Sequence, residues 1–205
     1  MKIQGKTEQN PSDVYFFATC VVDQFFPGAG LDAIQLLELQ GIRVHFPEEQ
    51  TCCGQPAYTS GFPDEARKVA AHQLTLFPEN WPVVVPSGSC AGMMKHHYPT
   101  LFAADPVRKA QAEALSARIY EFTDFLVNVL GYQPDDKGSD CTVVLHTSCS
   151  ARREMGVHLT GRQLLGGMKG VKVAQQDHES ECCGFGGTFS IKQPEISGAM
   201  VEDKV

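Results

Sequence analysis

Two adjacent cysteines followed by glycine occur twice in this chain: Cys52-Cys53-Gly54 within TCCGQPAYTSG, and Cys182-Cys183-Gly184 within ECCGFGGTFS. Neighbouring thiols are poor core material and would make a strained disulfide. They serve well as two ligands on one tight turn, where glycine supplies the backbone freedom. A further cysteine precedes each pair at a matching distance: 31 residues separate Cys20 from Cys52, and 32 separate Cys149 from Cys182. Downstream, 36 residues separate Cys53 from Cys90. Cys20, Cys52, Cys53 and Cys90 thus form one set of four thiols, and Cys149, Cys182 and Cys183 a second set of three. Four cysteines on loops suit zinc or an iron–sulfur cluster, and redox-active thiols without metal are a third possibility. Structural zinc usually takes its ligands from short C-x2–4-C knuckles. The first set has no such knuckle and spreads over about 70 residues, which favours a larger inorganic body held from several loops.

The repeat reaches beyond the cysteines. Val44 and Val173 each lie 24 residues after the upstream cysteine, Leu36 and Leu165 each lie 16 after it, and Ser60 and Ser190 each lie eight after the first cysteine of the pair. Two copies of a unit that alternates strand and helix imply a duplicated α/β protein with pseudo-two-fold symmetry. The apolar, β-favouring runs predict parallel strands at 14–19, 42–46, 83–86, 142–146 and 171–174. In open sheets of this kind ligands sit beyond the carboxyl ends of strands, which is where Cys20, Cys52, Cys53, Cys90 and Cys149 fall.

The helices are legible between the strands. Leu31, Ile34, Leu37 and Leu39 make an apolar helical face closed by Gly41. Asp64 opens a second helix with Ala66, Val69, Ala70, Leu74 and Phe77 inward. Asp105-Pro106 reads as an N-cap and first helical residue, and a further apolar stretch runs from Ile119 to Leu130. Helices starting after Cys20, Cys90 and Cys149 would aim positive dipole ends at an anionic centre. Residues 1–13 are polar and read as loose, and Pro134 to Gly138 reads as a linker, so the first lobe spans 14–133 and the second 140–205. By the spacing of the first copy, a partner for Cys90 would fall near position 220. The second lobe therefore reads as truncated, and its set as holding a cluster poorly or not at all.

Composition bounds the partners. A net charge of −7 argues against nucleic acid or an anionic membrane. No run approaches the roughly 20 apolar residues of a membrane span. The amino terminus lacks the apolar core of a signal peptide, which makes the cytoplasm the default and predicts that the eight cysteines are reduced. No GxGxxG follows the first strand, so no nicotinamide or flavin fingerprint is present.

The doubled CCG element, SGSCAG and CCGFGGTFSIKQPEIS resemble the cysteine-rich CCG-domain family. Within that family the chain is similar to the iron–sulfur subunits of lactate-utilization (L-lactate oxidation) systems, with the CCG-domain subunit of heterodisulfide reductase and the glycolate oxidase iron–sulfur subunit as relations. The resemblance implies duplicated Rossmann-like lobes and [4Fe–4S] clusters at the CCG sites. The first would be held by Cys20, Cys52, Cys53 and Cys90, and the second by Cys149, Cys182 and Cys183. It implies an electron-transfer subunit, part of an oxidoreductase complex acting on a small 2-hydroxy acid, with the other subunits as partners. A cluster-based thiol or disulfide reductase is the alternative. Where the broader family pattern ends in C-x-x-C, Cys90 is followed by Ala91-Gly92-Met93, which weighs against a five-cysteine site.

Several residues near the cysteines invite a role. Cys141 has Ser12 as its counterpart and reads as a small core residue rather than a ligand. His146 is a proton donor, a ligand or a satisfied strand-end histidine. Arg152 and Arg153 either balance cluster charge, bind a carboxylate or dock an acidic partner, or form a solvated or salt-bridged helix start, and His96 and His97 read as surface residues.

Overall fold

The computed structural model describes residues 10–135 and 139–204. Most of the amino-terminal stretch read as loose and the last three residues of the 134–138 linker lie outside the described residues. The fold is α/β with parallel strands throughout. β1 (Asp13–Phe16), β2 (Arg43–His45), β3 (Val83–Val85) and β4 (Ile119–Glu121) form one sheet in the order β2-β1-β3-β4, and β5 (Cys141–Val144) pairs with β6 (Val171–Ala174) in a second. Parallel neighbours require crossovers. The helices Pro27–Leu39, Pro63–Gln73 and Pro106–Ser116 supply them in the first sheet and Val157–Gly166 in the second.

The central strands are apolar and buried from Val14 to Phe16 and from Val83 to Val85 because both faces of the sheet are covered there. Tyr15, Phe17, Val83 and Val85 pack with Ala66, Ala70, Phe77, Met93, Met94 and Tyr98 on one side. Val14, Phe16 and Val84 pack with Ala33, Leu37, Phe125 and Leu126 on the other. The three valines of β3 are fully buried, each burial being worth about 1.5–3 kcal/mol. This core holds the strand ends, and hence the cysteine loops, in place.

Three expectations need correction. Ile119 to Leu130 is not one apolar element. Its first three residues form β4, pairing Ile119 with Val83 and Glu121 with Val85. The Glu121 carboxylate then caps a helical turn by accepting from the Thr123 and Asp124 amides at 2.7 and 3.2 Å. Leu31 and Leu39 do not face inward, being 67% and 64% exposed. The buried ridge of their helix is Gly30, Ala33 and Leu37, and at 3.6 residues per turn Leu39 falls on its far side. Cys141 is exposed rather than part of the core, because β5 has a largely exposed burial pattern.

Candidate metal-cluster sites

The first set of thiols is assembled from three loops at the carboxyl ends of β1, β2 and β3. β1 stops at Phe16, short of Thr19, and Thr19 becomes the N-cap of the helix Cys20–Phe25, its hydroxyl accepting from the Val22 amide at 3.4 Å. Thr19 is buried with φ at +64°. A β-branched residue there costs on the order of 1–3 kcal/mol and persists only where its surroundings demand it. The strain places Cys20 at the first position of the helix. The loop after β2 is tied to β1 by Gln50, whose Nε2 donates to the Phe16 carbonyl at 2.8 Å and whose Oε1 accepts from the Ala18 amide at 3.0 Å.

The turn at the cysteine pair needs its glycine. Gly54 has φ at +86°, and a Cβ there would lie 3.3 Å from the Ala66 carbonyl oxygen. Its N–H donates to Cys52 Sγ at 3.4 Å. Beyond β3 the chain enters the short helix Gly88–Gly92, which carries Cys90 inward. Cys53 Sγ and Cys90 Sγ lie 3.3 Å apart, both buried, and the Tyr98 hydroxyl donates to the Cys53 carbonyl at 2.9 Å.

The four sulfurs act on one another electrostatically and titrate as a group. The Cys53 thiol, with help from the Gly54 amide, holds Cys52 down at about 6. Cys90 is likewise lowered, first by the Cys53 thiol and then by the hydroxyls of Ser87 and Ser89. Burial and the neighbouring Cys52 push Cys20 up to about 11, and Cys53 is raised well above the ordinary thiol range by Cys52, Cys90 and burial. The set thus favours part of its sulfurs as thiolates, the form that binds metal. All eight cysteines are free thiols.

The second set repeats this local geometry. Ser148 caps the helix Cys149–Arg153, its hydroxyl accepting from the Ala151 amide at 3.4 Å, so Cys149 again opens a helix. Gly184 has φ at +77° and donates to Cys182 Sγ at 3.4 Å, matching Gly54 and Cys52. Burial and the Cys182 thiol raise Cys149, while Arg153 opposes them. The loop before the pair is anchored through Glu179, which accepts from Arg152 at 2.8 Å and also pairs with Arg162.

The two halves of the chain meet across packed backbone. A Cβ on Gly88 would lie 2.5 Å from Ala151 Cβ, and the side chain of Glu154 fills the space over Gly92. The helix that carries Cys90 therefore lies directly on the helix that Cys149 opens. Ser60 and Thr188, one after each cysteine pair, share a hydrogen bond of 2.7 Å.

The profile of the cysteine-rich domain family, CCG, matches residues 14–95 and 143–205. The chain belongs to the CCG cysteine-rich domain family. Each matched segment of the CCG chain contains one upstream cysteine and one cysteine pair. The chain is 47% identical over 195 residues to lactate utilization protein A 1 of Bacillus mycoides, covering 94% of this chain and 78% of that protein. It is 45% identical over 195 residues to lactate utilization protein A of Shouchella clausii and 43% identical over 192 residues to that of Bacillus subtilis, covering 94% of this chain and 80% of each relative.

The structure brings Cys20, Cys52, Cys53 and Cys90 together, and it brings Cys149 to Cys182 and Cys183. It leaves His146 exposed beyond the end of β5. His96 is exposed, as expected, with its Nε2 3.2 Å from the Glu154 carbonyl oxygen, while His97 is half-buried and pairs with the Glu154 carboxylate at 3.5 Å. Arg152 is engaged by Glu179, while Arg153 acts on Cys149. Sequence reasoning missed Thr19, Gln50, Tyr98 and Lys204. Only Thr19, a hydroxyl residue just before a helix start, carried a readable capping signal.

Proposed function

We propose that this chain is an iron–sulfur electron-carrying subunit of a lactate utilization system, serving the oxidation of L-lactate or a similar 2-hydroxy acid to the 2-oxo acid. Its first lobe is taken as 14–133 and its second as 140–205. The observation that carries this reading is the convergence of four free thiols, including buried Cys53 and Cys90 with sulfurs 3.3 Å apart, in a chain 43–47% identical to proteins named for lactate utilization.

The donor set fits an iron–sulfur cluster. It offers four thiols with no competing carboxylate or imidazole among them, and a backbone N–H already aimed at one sulfur. Cys20, Cys52, Cys53 and Cys90 would hold a cluster of the [4Fe–4S] type. Cys149, Cys182 and Cys183 would hold a second, with an outside ligand at the remaining position. Such a cluster, when bound, supplies reversible one-electron chemistry. The chain's part is to hold and tune it. Gly54 and Gly184 donate amide hydrogen bonds to sulfur, which stabilises negative charge there. Tyr98 fixes the Cys53 peptide, and the apolar core around Cys53 and Cys90 keeps water away. The partners are the other subunits of the lactate oxidation system, with the cytoplasm as the proposed compartment. No helix among the described residues is long and apolar enough to cross a membrane.

The test is iron and acid-labile sulfide analysis on anaerobically purified chain, with electron paramagnetic resonance after reduction. Stoichiometric iron and sulfide with a cluster signal support the reading. Bound zinc, or protein with neither metal, contradicts it.

A further inference from the structure

The helices that follow the two cysteine pairs, Pro63–Gln73 and Pro194–Lys204, both start with proline and both have 11 residues. Their last residues are therefore equivalent, and both are buried, Gln73 at 0% and Lys204 at 5% exposure. Both reach back to the loop in front of their cysteine pair. Gln73 Nε2 donates to Thr51 Oγ1 at 2.6 Å, and Thr51 is the residue before Cys52. Lys204 Nζ donates to the carbonyls of His178, Glu179 and Glu181 at 2.8, 3.2 and 2.9 Å, and Glu181 is the residue before Cys182. The two residues do the same positioning work with different charge.

We propose that Lys204 makes the second cysteine site the more electron-accepting of the two. The inference rests on the iron–sulfur reading above and adds the direction in which electrons settle. An ammonium carries three N–H groups, and here three carbonyl oxygens receive them, so the positive charge is fixed one peptide unit from Cys182. The acids nearby are otherwise engaged or solvated. Glu179 is held by Arg152 and Arg162, Glu181 bonds His178 at the surface, and Asp203 is exposed. Exposed charges are screened by water and salt, and a buried one is screened far less. Each electron added to a thiolate-bound cluster adds negative charge, which a fixed buried cation stabilises. Arg153 acts in the same sense on Cys149. Gln73 brings no charge to the first site. With both clusters bound, an electron would therefore lie lower in energy at the second site than at the first.

The experiment is a potentiometric titration, followed by electron paramagnetic resonance, of reconstituted wild-type chain, Lys204→Gln and Lys204→Arg. Cys183→Ser, which keeps only the first site, identifies the first-site signal. The wild type should show the second site at the higher potential by at least a tenfold preference for the electron, about 59 mV for a one-electron couple. Lys204→Gln, which copies the first site's amide, should bring the two potentials together, and Lys204→Arg should keep them apart. Alkylation of Cys182 and Cys183 in cluster-free protein reports any loosening of the loop separately. A second-site potential unmoved in Lys204→Gln overturns the proposal, as does a wild-type second site at or below the first. If Lys204→Gln holds no second cluster, Lys204→Arg decides: a potential kept high supports the role of charge, and one fallen to the first site's level overturns it. A wild type that loads only the first site overturns this proposal alone. A wild type that loads neither overturns the iron–sulfur reading itself.

Discussion

Cys53 Sγ lies 3.3 Å from Cys90 Sγ, although the two residues come from loops after different strands. The contact exists because β1 separates β2 from β3 in the sheet. The loops leaving β2 and β3 then close over the carboxyl end of β1, beside Cys20. Replacing Cys53 with serine should remove or convert the four-iron cluster at the first site and leave the second unaffected. The fold should survive, at a cost of about 1–3 kcal/mol for a hydroxyl placed in an apolar pocket. Iron content and a thermal melt on the same sample check both halves of this statement.

The left-handed glycines of the two turns should be unequal in their tolerance. Gly54→Ala puts a Cβ at φ +86°, 3.3 Å from the Ala66 carbonyl oxygen, while Gly184→Ala puts one at φ +77°, only 2.8 Å from the Ser197 carbonyl oxygen. The conformational cost alone is about 1–2 kcal/mol. Denaturant unfolding should therefore show both variants destabilised, and Gly184→Ala the more so.

Gly88→Ala tests the contact between the two halves. Its Cβ would sit 2.5 Å from Ala151 Cβ, so the helices carrying Cys90 and Cys149 must move apart. The strain should lower stability by about 1–3 kcal/mol. The electronic coupling between the two sites should weaken as well, read as loss of spin–spin broadening in the doubly reduced protein.

The cluster-free thiols should react in a fixed order with pH. Cys52 is held down at about 6 and Cys20 is pushed up to about 11. A lowered thiol is already thiolate above its own value, so Cys52 should alkylate fast at pH 7, with its rate falling as pH drops through about 6. Cys20 should stay protonated and slow until strongly alkaline pH. Peptide mass mapping after brief iodoacetamide treatment across that range reads both.

Much of this was legible in the chain itself, and the reasons differ by element. β3 was readable because three consecutive valines between prolines can only be a strand buried on both faces. The cysteine sets were readable because the spacing repeats. β4 was not, since Ile119–Glu121 runs straight into the apolar helical turns after it and periodicity cannot divide such a run. Leu31 and Leu39 misled because hydrophobicity marks a helical face only when the sheet lies under it. The roles of Gln73 and Lys204 stayed hidden for another reason. Each reaches back more than 20 residues from the end of a helix, a relation that only the folded chain displays.

Glu179→Ala should act on the second site alone. Losing the carboxylate frees Arg152 and Arg162 and unties the helix of Cys149 from the loop of Cys182. Iron at the second site should fall while the first-site signal stays, as electron paramagnetic resonance of the reduced variant would report.

The most direct measurement is iron and labile sulfide per chain in anaerobically reconstituted protein, compared with four single serine variants at Cys20, Cys52, Cys53 and Cys90. A shared cluster predicts that each substitution removes or converts the same four-iron signal. A first-site signal untouched by Cys90→Ser, or zinc in place of iron throughout, would contradict it.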